Sequence, residues 1–138
     1  MTSLVLDASV AASWVLPDEV SAQGALLMGK AASGGAIAPF HYPAEIANVV
    51  LTAHRRGRVA DDELSTVRAI LDSVNIEIDE AGRPHLWTDA YRLAQTHRLS
   101  LYDALYLELS VRLSLPLATF DQSLRIAAER EGVVLAIG

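Results

Sequence analysis

The apolar positions of this chain fall into short blocks whose period changes from one to the next. Leu4-Val5-Leu6 is an unbroken apolar triplet. With Ser3 it predicts a strand from Ser3 to Leu6 that is buried on both faces, as in a parallel sheet. Ser9 to Leu16 reads as a short helix that must stop before Pro17, because a residue preceding proline is pushed out of the helical region. Asp18 to about Ala32 reads as a second helix, with Val20, Leu26 and Leu27 turned inward and acids in its first turn. Gly34-Gly35 ends it, and Ala36 to Ala38 forms a second strand before Pro39.

Pro43 opens a helix that runs to about Arg56, with Ile46, Val49, Val50 and Ala53 as its apolar stripe and Gly57 as its stop. Asp61 to about Ser73 is helical, with Leu64, Val67, Ile70 and Leu71 inward. Asn75 to Asp79 alternates like a strand. Helices follow at Pro84 to His97 and at Leu101 to about Leu113, then a strand from Leu117 to Thr119. Asp121 to Glu131 is the last helix, Gly132 closes it, and Val133 to Leu135 is a final strand. Strands alternating with helices predict an α/β fold, a parallel sheet flanked by helices.

Composition narrows the picture. A chain of 138 residues fits a single domain, residues 1–138, and can bury a core without staples. The absence of cysteine excludes disulfides, thiolate nucleophiles and thiolate zinc sites. The sequence begins without a basic leader, and no apolar run approaches the roughly 20 residues of a membrane span, so a cytoplasmic protein is expected. The chain is 51% hydrophobic, with mean hydropathy +0.27, which leaves apolar area for a partner. A net charge of -6 argues against a protein that coats duplexes. It is compatible with an enzyme whose acids are neutralised by bound cation. Ten arginines stand beside a single lysine, Lys30, so the positive charge sits on groups suited to bidentate contacts.

The candidate chemistry lies in four acids. In open parallel sheets, ligands bind beyond the carboxyl ends of the strands. Asp7 directly follows the first strand, and Asp121 stands two residues beyond Thr119. Glu45 and Asp103 each fall in the first turn of a helix. Each has a plain structural alternative. Asp7 and Asp121 could cap the helices they precede, Glu45 could offset a positive helix end, and Ser100 to Asp103 has the spacing of a capping box. Together, however, all four lie where a strand ends or a helix begins. Carboxylates gathered there would repel one another unless a cation neutralised them. Hard oxygen ligands without cysteine or clustered histidine favour Mg²⁺ or Mn²⁺ over Zn²⁺. Spacing alone does not bring the four together.

Four segments carry a resemblance: Leu4-Val5-Leu6-Asp7-Ala8-Ser9, Pro43-Ala44-Glu45-Ile46-Ala47-Asn48, Leu101-Tyr102-Asp103-Ala104-Leu105-Tyr106-Leu107 and Leu117-Ala118-Thr119-Phe120-Asp121. In this order they resemble the signatures of PIN-domain ribonucleases, and within that family the VapC-type toxins of bacterial toxin–antitoxin pairs. The resemblance runs from Leu4 to Leu135. It implies a central sheet of order 3-2-1-4-5, with the first and fourth strands adjacent. It also implies Mg²⁺- or Mn²⁺-dependent RNA cleavage by activated water, leaving a 5′-phosphate and a 3′-hydroxyl. Asp7, Glu45, Asp103 and Asp121 would be the catalytic, metal-holding cluster. Asp7 and Asp121 are then the firmest ligands, Asp103 follows, and Glu45 acts through water. Ser9, Thr119 and Asn48 match polar positions that orient the site from behind. A homodimer and a VapB-type antitoxin are implied partners, the antitoxin tail lying along an apolar groove with a basic side chain against the acids.

Other residues fit ordinary roles. His41, His54, His85 and His97 show no ligand spacing and read as surface or packing histidines. Arg55, Arg56 and Arg58 offset a negative helix end, or else form a phosphate-contacting rim. Trp14 reads first as core, then as a partner contact. Two rival functions remain. A receiver-type Mg²⁺-binding signalling domain needs adjacent acids after its first strand and a lysine near its last; Asp7 stands alone and Lys30 is in the wrong region. A non-catalytic interaction module would use the acids only as caps and the apolar surplus for assembly.

Overall fold

The computed structural model describes residues 2–136. Four parallel strands, β1 (Leu4–Leu6), β2 (Ala36–Pro39), β3 (Ile76–Asp79) and β4 (Leu117–Ala118), form one sheet in the order β3-β2-β1-β4. β1 is central, with Val5 opposite Ile37 on one side and Leu117 on the other. Its three residues are all buried, as a strand covered on both faces requires.

Helices flank the sheet. α1 (Ala8–Val15) packs against α2 (Ala22–Gly34), α3 (Tyr42–Arg55) and α4 (Leu64–Ser73). α6 (Leu101–Leu113) lies against the sheet between α5 (Tyr91–His97) and α7 (Gln122–Arg130). Residues 104–110 of α6 are buried without interruption, so this helix is apolar nearly all round and has no solvent face over that stretch.

Three expectations are corrected. Among the described residues the sheet has four strands and not the five of the order 3-2-1-4-5: Leu135 makes only an isolated parallel bridge to Leu117. The helix expected from Asp18 is broken. Pro17–Glu19 is a separate 3-10 turn, and α2 starts later, where Ser21 accepts the Gly24 N–H. Val20 and Leu26 consequently face solvent, at 69% and 56% exposure, while Leu27 is buried. The helix expected from Pro84 to His97 is continuous in path but not in type. A 3-10 turn at Arg83–His85 and a widened π turn at Leu86–Ala90 precede α5.

Candidate active site

The carboxyl ends of β1 and β4 meet because the two strands pair, with Leu6 opposite Ala118 and the Asp7 N–H donating to the Ala118 carbonyl. Asp7 stands at the N-terminal boundary of α1, but its side chain makes no capping bond there. Instead its Oδ2 accepts from the Ser9 hydroxyl at 2.6 Å and from the Thr119 hydroxyl at 2.7 Å. Each hydroxyl is held in turn by the β4–α7 turn: Ser9 Oγ accepts the Phe120 N–H, and Thr119 Oγ1 accepts the Asp121 N–H. Ser9 and Thr119 therefore fix the Asp7 carboxylate between the two central strand ends.

Glu45 reaches the same edge from the first turn of α3. Its Oε1 accepts from the Tyr106 hydroxyl of α6, a bond across 61 residues of sequence. Asp103 lies in the first turn of α6, where its N–H donates to Ser100 Oγ. That is the backbone half of a capping box, and it uses none of the Asp103 carboxylate. Asp121 differs. Its Oδ1 accepts the Leu124 N–H at 2.9 Å and caps α7, so the ordinary structural role expected for it is real, at the expense of one oxygen.

Electrostatics tie the four together. Burial pushes the Asp7 carboxyl up to about 6; repulsion from Glu45 and Asp121 adds to this, while the Ser9 and Thr119 hydrogen bonds oppose it. Asp103 is also pushed up to about 6, by burial first and then by Asp7 and Asp121. Glu45 is raised by burial, with Asp103 adding and the Tyr106 bond opposing. The Tyr42 and Tyr106 hydroxyls are held protonated by burial and by the neighbouring Asp7 and Glu45. Carboxylates from four separate elements thus act on one another at one sheet edge without a cation among them. Their oxygens are a donor set suited to a hard dication. Among the described residues, no three His, Asp or Glu side chains are arranged to hold a metal as they stand.

Asn48 stands apart, exposed on α3 and without a hydrogen bond to any of the four acids among the described residues. His41, read from sequence as a packing or surface residue, lies at the site. Its Nε2 is 3.8 Å from Glu45 Oε1, its ring meets Tyr106 edge-on at 5.0 Å, and neither ring nitrogen has a hydrogen-bond partner. Burial holds this imidazole below its ordinary range, so the contact with Glu45 is not an ion pair at neutral pH. The signal that could have found it is the i, i+4 step from His41 to Glu45. Tyr106 has the same kind of signal, three residues after Asp103. His54, His85 and His97 pair with Asp61, Asp89 and Glu131 instead. Arg58 forks onto Asp18 and Glu19, so it is not available as a phosphate rim, and Trp14 donates to the Gly24 carbonyl between α1 and α2.

The PIN domain family profile matches residues 4–130. The chain belongs to the PIN domain family. It is 30% identical over 121 residues to Ribonuclease VapC3 of Pyrobaculum aerophilum, an alignment that covers 88% of this chain and 91% of that protein. The crystal structure of PAE2754 from Pyrobaculum aerophilum shares its fold, with a TM-score of 0.67, 21% sequence identity, and coverage of 91% of this chain and 86% of that one. The resemblance to VapC-type PIN domains drawn from the four segments therefore stands. The matched PIN region spans β1 to the end of α7 and takes in Asp7, Ser9, Glu45, Asp103, Thr119 and Asp121.

Proposed function

We propose that this PIN domain is an endoribonuclease, the toxin of a toxin–antitoxin pair, and that it hydrolyses RNA at the cluster of Asp7, Glu45, Asp103 and Asp121. The observation that carries the reading is the gathering of Asp7 and Asp121, at the paired ends of β1 and β4, with Glu45 and Asp103 from the first turns of α3 and α6, in a chain similar over most of its length to a ribonuclease. A buried acid such as Asp7, with further carboxylates as its neighbours, is costly to the fold as an anion. Such groups cluster at functional sites.

The four acids would hold Mg²⁺ or Mn²⁺. Bound there, the dication would neutralise the cluster, polarise a scissile phosphate and lower the pKa of water. The protein's own part is positional. Ser9 and Thr119 hold the Asp7 carboxylate, Tyr106 holds Glu45, and the turn that carries Thr119 also fixes Asp121. One Asp121 oxygen is occupied by the α7 cap, and burial favours the protonated forms of Asp7 and Asp103 until a cation neutralises them. Single-turnover RNA cleavage by the purified chain with Mg²⁺ or Mn²⁺, with chelator, and with Asp7→Asn tests this. Activity that persists in chelator or in Asp7→Asn overturns the assignment.

The antitoxin has a candidate seat in an apolar groove of about 670 Å³ between α3, α4 and β3, lined by Ile46, Val50, Leu64, Val67 and Leu71 among others. α3 carries both the groove residues and Glu45, so a segment lying there is one helix away from the acids. Val50→Asp should abolish capture of a VapB-type antitoxin while leaving cleavage intact. Capture unchanged by Val50→Asp would place the antitoxin elsewhere. We further place the chain as a single domain and a homodimer in the cytoplasm. No helix among the described residues is long and apolar enough to cross a membrane, and light scattering of the purified chain reads the oligomeric state.

A further inference from the structure

Glu45 has a second polar neighbour that its hydrogen bonding does not use. The turn between β2 and α3 carries His41, one helical turn before Glu45, and its Nε2 stops 3.8 Å from Glu45 Oε1. That is about 0.8 Å beyond an ordinary N–H···O bond. The same oxygen already accepts the Tyr106 hydroxyl, and among the described residues Oε2 accepts no hydrogen bond. The imidazole is sealed in. Only 12% of its side chain is exposed, the Phe40 and Tyr106 rings meet it edge-on, and the Tyr102 ring lies 5.8 Å away, tilted by 37°.

Ring packing alone does not account for a histidine here. Three aromatic rings surround the position, and a phenyl group would pack among them without burying two polar nitrogens. Those nitrogens are shut off from solvent and have no partner, an arrangement that costs stability. The imidazole is neutral, because burial holds it below its ordinary range and the Tyr102 backbone opposes this only in part. A neutral imidazole carries one N–H and one bare nitrogen. A carboxylate oxygen only accepts, so Glu45 selects the tautomer with the proton on Nε2. The position thus sets an uncharged donor against a carboxylate. A lysine or arginine there would bring a full charge and compete with a cation for the cluster; a neutral N–H does not.

We propose that His41 is a positioning residue for Glu45: its Nε2–H donates to Oε1 in the cation-loaded site, so that Tyr106 and His41 together hold that oxygen and leave Oε2 free. The proposal rests on the metal-site reading and adds to it a residue that acts only through Glu45.

Two variants of the full chain separate the donor from the ring. His41→Phe keeps a ring and removes the N–H, whereas His41→Gln removes the ring and carries an amide N–H toward the place of Nε2. Mn²⁺ affinity is read from the saturable rise of the urea midpoint with added cation. Without metal, His41→Phe should be at least as stable as the wild type. It should bind Mn²⁺ about 10–100-fold more weakly, the usual loss when the partner of a ligand is removed. His41→Gln should regain most of that affinity. In RNA cleavage, His41→Phe should lose rate at low Mn²⁺ and recover it at high Mn²⁺, with KM for RNA unchanged. The wild-type chain supplies a check that needs no variant. Nitrogen NMR of its histidine rings should show His41 neutral and protonated at Nε2, with that resonance shifting saturably as Mg²⁺ is added. If the wild type binds Mn²⁺ and His41→Phe binds it equally well, or His41→Gln loses more than His41→Phe, the assignment is overturned and the metal site stands. A bare Nε2, or an Nε2 resonance unmoved by Mg²⁺ that binds, overturns it in the same way. If the wild type binds neither cation, the metal-site reading falls and the role of His41 falls with it.

Discussion

α6 carries two ionic sites, each built on a buried carboxylate or beside one, that solve the same problem in opposite ways. Near its C-terminal end, Glu108 is 4% exposed at the side chain and Asp79 is 10% exposed. Arg112 lies between them, at 2.7 Å from Glu108 and 2.6 Å from Asp79. The two carboxylates hold the guanidinium protonated well above its usual range, so this site carries its own countercharge and ties α6 to the end of β3. At the N-terminal end of the same helix, Asp103 joins Asp7, Glu45 and Asp121 with no lysine or arginine among the causes that shift Asp7, Glu45 or Asp103. A carboxylate buried beside its arginine is part of the scaffold. A buried carboxylate with only other carboxylates beside it is costly as an anion until a cation comes from outside.

The two sites should respond oppositely to loss of charge. The largest effect on stability is expected at the balanced site. Arg112→Ala leaves Glu108 and Asp79 uncompensated and should destabilise the fold by about 3–5 kcal/mol in urea unfolding. A loss below about 1 kcal/mol, the range of exposed ion pairs, would show that this network is not a structural element.

At the acid-only site the sign reverses. Burial raises the Asp7 carboxyl from 3.8 to about 6. Asp7→Asn should therefore stabilise the metal-free protein near pH 7.5 by up to about 3 kcal/mol while abolishing cleavage, because a tenfold change in a proton-binding constant is worth about 1.4 kcal/mol. The pH dependence has the same origin. Because the folded pKa lies above the unfolded one, the fold favours the protonated acid. That contribution is complete below the unfolded value near 3.8 and is lost as pH rises through about 6. Metal-free protein should thus be less stable at pH 7 than at pH 5 in matched urea titrations, and Asp7→Asn should flatten the difference.

Smaller effects separate the supporting residues. Thr119→Val removes one of the two hydroxyls that hold Asp7 and leaves the Asp121 N–H unpaired, and should cost about 10–100-fold in Mn²⁺ affinity and about 1 kcal/mol in fold stability. Asp121→Ala should lose about 1 kcal/mol through the α7 cap, whereas Asp121→Asn should keep the cap and lose activity all the same. Equal stability losses in the two Asp121 variants would remove the division of its oxygens between cap and site.

The contrast also marks what was legible in the sequence. β1 and α3 could be read directly, because the Leu4-Val5-Leu6 triplet and the Ile46 stripe encode burial locally. The four acids could be found by placement, since strand ends and helix starts are local signals. What bound them to each other was not local. The Tyr106–Glu45 bond spans 61 positions, the Thr119–Asp7 bond 112, and the Arg112–Asp79 pair 33. No spacing rule predicts those meetings; strand order does. Val20 and Leu26 misled for the complementary reason: their apolar character is local, but the break after Pro17–Glu19 turned them outward. Leu135 reads as strand, and among the described residues it makes an isolated bridge to Leu117.

In the proposed function, Asp7, Glu45, Asp103 and Asp121 form a site completed by a divalent cation. Urea unfolding at pH 7.5 over a Mn²⁺ titration, for the wild-type chain and for Asp7→Asn, tests it most directly. The wild type should gain stability with cation in a saturable way, by linkage to the folded state, and Asp7→Asn should begin more stable and gain almost nothing. Equal gains in both chains, or no gain in the wild type, would contradict it.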